Sequence, residues 1–144
     1  MIVVIDTFTK WDEVEPVGRI TKENTVKFLR SIVMCFGVPH RILSDNGTQF
    51  ASKKFENFCE RYAIKHYGSS FYHPTTNGQV EHANSIIQQG IKTRIFDRLS
   101  AYDKKWIKEL PIVLWTMRTT ANRAMGETPF FLVYGAEAVL PPEV

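Results

Sequence analysis

The sequence predicts an α/β fold in which a few short strands are layered against helices. Short apolar runs typical of buried strands come early in the chain and then alternate with longer segments of helical periodicity. The last part of the chain has helical periodicity only. This order favours a layered α/β architecture. With 144 residues, of which 44% are hydrophobic, the chain is long enough to bury a core as one domain.

Two segments open the chain as strands, and a helix follows them. Residues 2–9 read as a buried strand, and Trp11–Val17 as a second extended stretch that ends at Gly18. Thr21 is a plausible N-cap for a helix, which Gly37 then stops. The apolar residues of this helix recur with a helical period: Val26, Leu29, Val33 and Phe36.

The middle of the chain alternates strand and helix. Arg41–Ser44 predicts a short strand that ends at Asp45, and Asn46-Gly47 forms an immediate turn. Ser52 can cap a second helix, and Ile64–Tyr67 gives another short strand. The apolar face of this second helix comprises Phe55, Phe58, Cys59 and Tyr62.

The last half of the chain is mainly helical. Ser69–Gly78 reads as a polar loop, and a long helix follows over about Gln79–Leu99. Its apolar stripe comprises Val80, Ala83, Ile87 and Ile91. Two more helices are predicted around Trp106–Met117 and Pro129–Tyr134. We assign residues 1–140 to one domain and 141–144 to the start of a linker, and the abrupt opening on a strand suggests a fragment of a longer polypeptide.

The composition narrows the class of protein. A net charge of +3 tolerates a phosphate-rich partner without requiring one. The two cysteines, Cys35 and Cys59, have apolar neighbours and no C-x-x-C spacing, so we expect buried reduced thiols and no structural zinc. The sequence contains neither an apolar run of membrane-spanning length nor a signal peptide, and we therefore expect an intracellular protein.

Three acids stand at the ends of predicted elements. Asp6 lies at or near the end of the first strand, Asp45 ends a later strand, and Glu81 lies in the first turns of the long helix. Taken singly, each is equally typical of a solvated acid, and the helix dipole alone favours Glu81 near a helix N-terminus. The sequence motifs that surround the three acids are more informative.

Asp6 lies in Val-Ile-Asp-x-Phe-Thr-Lys-Trp, residues 4–11, and Asp45 in Leu-Ser-Asp-Asn-Gly-x-Gln-Phe, residues 43–50. Glu81 lies in His-Pro-x-x-Asn-Gly-Gln-Val-Glu-x-x-Asn, residues 73–84, and 35 residues separate it from Asp45. Together these motifs resemble the D,D(35)E signature of retroviral and retrotransposon integrases. Their sequences are most similar to those of Ty3/gypsy-type elements of plants. The resemblance extends over nearly the whole chain.

The resemblance implies an RNase H-like fold, with a mixed central β-sheet flanked by α-helices. In that fold Asp6, Asp45 and Glu81 would converge at one sheet edge as the catalytic, metal-binding acids. Clustered carboxylates repel one another unless a cation lies between them. Oxygen ligands without His or Cys favour Mg²⁺ or Mn²⁺ over zinc. The resemblance further implies two such ions, with Asp6 as the candidate for the bridging ligand.

The implied activity is phosphodiester transesterification. Water would first cleave near the 3′ ends of the element's DNA, and each new 3′-hydroxyl would then attack target DNA. Candidate DNA contacts lie in the loop before the long helix, on the helix face of Glu81, and at two nearby lysines. They are His73, Asn77 and Gly78, then Asn84, Ser85 and Gln88, then Lys10 and Lys65. For Ser85 and Gln88, a plain solvated helix face explains the sequence equally well.

The resemblance also implies partners and a place of action. We expect element and target DNA as partners, with a homodimer or higher oligomer, and no membrane. The stripe Trp106, Leu110, Leu114 and Met117 is core by default, or else a dimer interface. The zinc-binding N-terminal and DNA-binding C-terminal integrase domains are expected to be missing from this chain. The protein would act in the nucleus on chromosomal DNA and otherwise lie in cytoplasmic particles.

Two other functions remain open from the sequence. One is a catalytically silent module for DNA binding or oligomerisation, left from a decayed or domesticated element. The other is an RNase H-like nuclease that cuts RNA–DNA hybrids. The presence of all three acids argues against decay of the site, and the 35-residue spacing with Asn-Gly-Gln-Val-Glu favours an integrase over the nuclease.

Overall fold

The computed structural model describes residues 1–68, 74–96 and 105–139. Four strands and five helices lie in these ranges. In chain order they are β1 (Ile2–Ile5), β2 (Asp12–Glu15), α1 (Lys22–Phe36), β3 (Arg41–Ser44), α2 (Lys53–Arg61), β4 (Lys65–Gly68), α3 (Pro74–Phe96), α4 (Lys105–Thr119) and α5 (Pro129–Tyr134).

Strands β1 and β2 pair with each other through a short connection, residues 6–11. So short a connection requires an antiparallel hairpin, because a parallel pair needs a crossover of a dozen or more residues. The predicted first strand, residues 2–9, is too long. It ends at Ile5 because the Asp6 side chain accepts hydrogen bonds from the backbone of Phe8 and Thr9, which turns the chain.

Strands β3 and β4 pair in parallel, in a register that runs from Arg41 opposite Lys65 to Ser44 opposite Gly68. Helix α2 lies in the connection that this parallel pairing requires. The described strands thus include both orientations expected of a mixed sheet. They pair as two two-stranded sheets and not as one continuous central sheet.

Local signals define the ends of α1 and α2. The hydroxyl of Thr21 accepts from the Asn24 backbone N–H at 3.2 Å, and that of Ser52 accepts from Phe55 at 3.3 Å, so both predicted N-caps are confirmed. Gly37 ends α1 with a φ of 89°, which favours glycine. Of the apolar residues that recur with a helical period on α1, Val26, Leu29 and Val33 are buried, whereas Phe36 is 44% exposed.

Cys35 also differs from its prediction, because the thiol is exposed and only Cys59 is buried. Position 35 lies two residues after buried Val33, and two residues rotate a helix by about 200° to its opposite side. Burial raises the pKa of the Cys59 thiol above its ordinary value.

Helix α3 begins five residues earlier than the sequence predicted, at Pro74 and not at Gln79. The part of the predicted loop from residue 74 to Gly78 is therefore helical, and the remainder lies outside the described residues. Proline suits a first helical position because its fixed φ is already helical and the missing N–H has no partner there. Gly78 is tolerated inside the helix at a cost of about 1 kcal/mol relative to alanine.

The predicted apolar stripes of the remaining helices are mostly in the core. On α3, Ala83, Ile87 and Ile91 are buried. On α4, Leu110 and Leu114 are buried, so this part of the stripe belongs to the core of the chain, which was the first of the two predicted roles. The exposed apolar side chains of α4 belong to other positions: Ile107, Ile112 and Trp115.

The chain divides into two compact units that are not consecutive in sequence. Unit 1 contains residues 1–3 and 13–78, and unit 2 contains residues 4–12 and 79–144. Asp45 belongs to unit 1, whereas Asp6 and Glu81 belong to unit 2. None of the helices in the described ranges is both long and apolar enough to cross a membrane.

Candidate functional site

Asp6 follows β1 directly and forms the first residue of the turn at residues 6–11. Its Oδ1 atom accepts three hydrogen bonds, from the backbone N–H of Phe8 at 3.1 Å and of Thr9 at 2.7 Å, and from the Thr9 hydroxyl at 2.9 Å. Oδ2 has no protein partner among the described residues. One carboxylate oxygen therefore fixes the side chain, and the other is available to a ligand at an exposed position.

Asp45 stands at the same point relative to its own strand, directly after β3. Its Oδ1 accepts from the Gly47 backbone N–H at 3.0 Å, as in an Asx turn. Oδ2 has no hydrogen-bond partner within the described ranges, and the side chain is exposed. Both aspartates thus use one oxygen to orient the carboxylate, while the second oxygen has no partner in the part of the chain that the structure describes.

Ser44 connects Asp45 to the neighbouring strand. Its hydroxyl donates to the Asp45 carbonyl at 3.0 Å and lies 2.8 Å from His66 Nε2. The hydroxyl can donate to one of these two atoms at a time, and the tautomer of His66 decides which atom of the Ser44–His66 pair is the donor. The His66 ring also packs edge-on against Phe55, with ring centroids 4.8 Å apart. Burial lowers the pKa of His66 below its ordinary value, and the nearby Glu56 charge opposes that shift in part.

Glu81 is exposed and lies about two turns after Pro74, not in the first turns of the helix as predicted. The helix dipole acts mainly over the first turn and no longer explains an acid at this position. On the same face, Asn84 is half-buried, while Ser85 and Gln88 are exposed. Glu81 makes no hydrogen bond to any described residue.

Lys10 connects the Asp6 turn to α3. Its backbone has a φ of 60°, in the left-handed region that side-chain-bearing residues rarely adopt. The ammonium donates to the Thr7 carbonyl and, at 2.9 Å, to Gln79 Oε1. The predicted DNA contact of Lys10 stays a prediction, and a phosphate would have to compete with these two oxygens.

Arg118 of α4 holds the other end of the same turn. Its guanidinium carbon lies 4.2 Å from the centroid of the Trp11 ring, and its Nε donates to the Asp12 carbonyl at 3.2 Å. Trp11 is buried and packs against Phe130 and Tyr134, at centroid distances of 6.2 and 5.5 Å. Cation–π contacts of this kind contribute about 0.5–2 kcal/mol. Sequence reasoning missed Gln79 and Arg118, whose partners lie 69 and 106 residues away along the chain.

The remaining predicted DNA contacts are dispersed. Asn77 and Gly78 lie within α3 and do not precede it, so their backbone N–H groups are not at a helix N-terminus as predicted. The helix starts earlier because Pro74 is a suitable first residue. Lys65 is exposed at the start of β4, and His73 lies outside the described residues.

The donor set fits a hard divalent cation in its chemistry. Asp6 and Asp45 each present a free, pre-oriented carboxylate oxygen, and Glu81 presents an exposed carboxylate. Mg²⁺ and Mn²⁺ take such oxygen ligands. Within neither unit, over the described residues, do three His, Cys, Asp or Glu side chains form a group that could hold a metal ion.

Several known proteins are similar to this chain. The family model described as "Integrase core domain" matches residues 1–74. The Gag-Pol polyprotein of avian reticuloendotheliosis virus is 34% identical over 146 residues, which cover 100% of this chain and 12% of the polyprotein. The Gag-Pol polyprotein of feline leukemia virus is 34% identical over 94% of this chain and 8% of its own length. The chain thus spans about a tenth of the length of these relatives.

Solved structures agree with the sequence relatives. A chain of the simian T-cell lymphotropic virus intasome has a TM-score of 0.80 at 26% identity, over 99% of this chain and 50% of that chain. The HTLV-2 integrase catalytic core domain, solved with magnesium, has a TM-score of 0.74 at 26% identity, over 92% of this chain and 82% of that one. The fold is therefore the α/β, RNase H-like fold of integrase catalytic cores. These matches show that the chain belongs to the integrase core domain family.

Proposed function

We propose that this chain is the DNA-joining core of an integrase from an LTR retrotransposon, of the Ty3/gypsy type and plant-like. It processes the 3′ ends of element DNA and joins them to target DNA. The observation that carries the proposal is the hydrogen bonding that Asp6 and Asp45 have in common, in a chain of this family. Each has one carboxylate oxygen bound to its own backbone and one left free.

The proposed chemistry is two successive displacements at phosphorus. In each, an attacking oxygen forms a new P–O bond while the bond to the leaving 3′-oxygen breaks, and the proton lost by the attacking group balances the one gained by the leaving group. Two bound Mg²⁺ or Mn²⁺ ions would supply charge stabilisation for the attacking and leaving oxygens. Asp6, Asp45 and Glu81 would hold them. The bonds from Phe8 and Thr9 would keep the Asp6 carboxylate oriented without further reorganisation.

The proposed partners are element DNA, target DNA and further copies of the chain. The HTLV-2 catalytic core has been solved in dimeric and trimeric forms, and the simian relative in an intasome. Because Leu110 and Leu114 are buried within the chain, we propose that any interface on α4 uses its exposed apolar side chains. We further propose action in the nucleus on chromosomal DNA, and otherwise residence in cytoplasmic particles.

The decisive experiment is a disintegration assay with Mn²⁺ on a branched DNA substrate. The parent chain should reseal the branch, and Glu81→Gln should not, because the amide is a poor ligand for a hard cation. Glu60→Gln, which changes an exposed glutamate of α2 in the same way, is the matched control and should behave as the parent.

Three results would overturn the proposal. Equal resealing by the parent and Glu81→Gln would exclude Glu81 from the chemistry. No resealing by the parent, together with intact binding of the branched DNA in a mobility-shift assay, would favour a silent DNA-binding module. Cleavage of RNA–DNA hybrids in the same buffer, without joining of DNA, would favour a nuclease.

A further inference from the structure

We infer that Lys10 is a positioning residue, which fixes the turn that carries Asp6 against the helix that carries Glu81. The inference rests on the proposed function, because it assigns the two acids to one reaction. It concerns unit 2 only, since residues 4–12 and 79–144 make up that unit.

The first observation is the backbone of Lys10. Its N–H donates to the Asp6 carbonyl at 2.9 Å, and its φ is 60°. Glycine, asparagine and aspartate adopt this conformation most readily, whereas lysine does not. Another residue would adopt this backbone conformation more readily than lysine does. The lysine side chain is therefore expected to have a role of its own at this position.

The second observation is the destination of the ammonium group. It donates to the Thr7 carbonyl within the turn and to Gln79 Oε1 on α3. Gln79 precedes Glu81 by two positions in a continuous helix. Because a helix moves as a rigid element over so short a distance, a bond to Gln79 fixes the height and rotation of the helix at Glu81 relative to the Asp6 turn.

The third observation is the surroundings of this bond. Lys10 and Gln79 line a cavity of about 600 Å³ in unit 2, together with apolar side chains such as Ile5 and Ala83 and polar ones such as Asp12 and His82. Lys10 is half-buried there. A hydrogen bond from a charged donor is stronger in such surroundings than in water.

The test separates the bond from the charge. Gln79→Leu removes the acceptor and keeps the Lys10 charge, whereas Gln79→Glu keeps an acceptor at the same place. Lys10→Gly removes the ammonium and suits the positive φ. Asn57→Leu, which likewise replaces an amide side chain by leucine at an exposed helical position, on α2, is the matched control.

Three quantities are measured for each full-length variant. They are the Mn²⁺ concentration that gives half-maximal joining in the disintegration assay, the Mn²⁺-induced rise in Tm without DNA, and the Tm without metal. Residues that orient metal ligands typically change metal affinity by about 10–100-fold when they are replaced. We therefore expect Gln79→Leu and Lys10→Gly to need about tenfold more Mn²⁺ and to show a smaller Mn²⁺-induced rise in Tm. Gln79→Glu and Asn57→Leu should remain close to the parent.

Unchanged Mn²⁺ dependence in Gln79→Leu would overturn the inference. A lower metal-free Tm with parental Mn²⁺ dependence would also overturn it, since the bond would then serve stability alone. If the parent joins no DNA, the proposed function fails, yet the Mn²⁺-induced Tm still decides the positioning role. If the parent joins DNA and the variants match it, only the positioning role fails.

Discussion

His66 places a titratable ring next to the strand end that carries Asp45. Its pKa is lowered mainly by burial, and the Glu56 charge opposes the shift in part. The unfolded chain therefore binds a proton at a higher pH than the folded chain does. Stability is then complete above the ordinary histidine pKa of about 6.5 and falls as the pH drops through that value toward the lowered folded pKa.

We accordingly predict that the free energy of unfolding decreases between about pH 7 and pH 5 in the parent, and decreases less in His66→Gln. The glutamine cannot titrate but retains an amide donor for the Ser44 hydroxyl. Urea unfolding at several pH values measures the effect, with His40→Gln as the control at an exposed position. The same pH slope in His66→Gln and the parent would contradict the prediction.

Asp6 allows the fold and the chemistry to be tested separately. Asp6→Asn keeps a carbonyl oxygen that can accept the bonds from Phe8 and Thr9, whereas Asp6→Ala removes that acceptor. We predict that Asp6→Ala loses about 1 kcal/mol or more in free energy of unfolding, while Asp6→Asn stays close to the parent. Both should fail to join DNA. Equal stability of the two variants in urea would show that the turn does not depend on these bonds.

The sequence predicts the three acids as site residues from the motifs around them, and this stays a prediction. Sequence reasoning failed where interaction partners are distant along the chain. Nothing local to Lys10 indicates Gln79, and nothing local to Trp11 indicates Arg118. Both contacts are decided by how the turn, α3 and α4 pack, which a one-dimensional pattern does not encode. The exposed thiol of Cys35 was missed for a different reason, because apolar sequence neighbours do not share its face of α1.

At the level of elements, boundaries set by local chemistry were predicted well. Strand β3 and helix α5 have the predicted bounds, and Thr21 and Ser52 cap their helices as expected. The start of α3 was predicted wrongly because Pro74 and Gly78 are as typical of a loop as of a helix start and a tolerated interior glycine. Local preference alone could not decide between these structures.

Gly90 shows how an element interior depends on its neighbour. A Cβ atom at this position of α3 would lie 3.0 Å from Val113 Cγ1 and 3.3 Å from Cγ2 on α4. Val113 is buried, and a β-branched side chain in a helix has one strongly preferred rotamer, so it cannot easily turn away. The close packing of α3 on α4 therefore requires glycine here.

We predict that Gly90→Ala lowers the free energy of unfolding by about 1 kcal/mol, because overpacking costs about 1–3 kcal/mol and better helix propensity returns at most about 1 kcal/mol. The double variant Gly90→Ala/Val113→Ala should lose less free energy of unfolding than the two single variants lose together, because removal of the valine methyl groups relieves the clash. Urea unfolding in a double-mutant cycle measures this coupling. Strict additivity of the two changes would contradict the proposed contact.

For the whole molecule, the order of elements was sufficient to predict the fold class, which the similarity to integrase catalytic cores confirms. The division into two units was not predictable, because each unit combines a short early segment with a long later one. Unit 2 takes residues 4–12 from the start of the chain, and these include Trp11, whose ring packs against Phe130 and Tyr134.

We predict that residues 79–144 expressed alone do not unfold cooperatively, because the space occupied by Trp11 would be left empty against α5. Loss of a buried aromatic side chain costs about 3–5 kcal/mol. Addition of a peptide of residues 1–15 should restore dispersed amide signals in an NMR spectrum, and the same peptide with Trp11→Ala should not. A cooperative thermal transition of residues 79–144 without peptide would contradict this prediction.

In Asp6 and in Asp45, only one of the two carboxylate oxygens accepts hydrogen bonds from the described residues, and this has an evolutionary consequence. A single-nucleotide change can convert an aspartate codon to asparagine, and the amide retains the oxygen that each turn needs. Under the proposed function, a copy of the element that lost catalysis in this way would still yield a folded core. Selection could then preserve its surface for binding long after joining had ceased, so inactivation of such an element and loss of its protein are separate events.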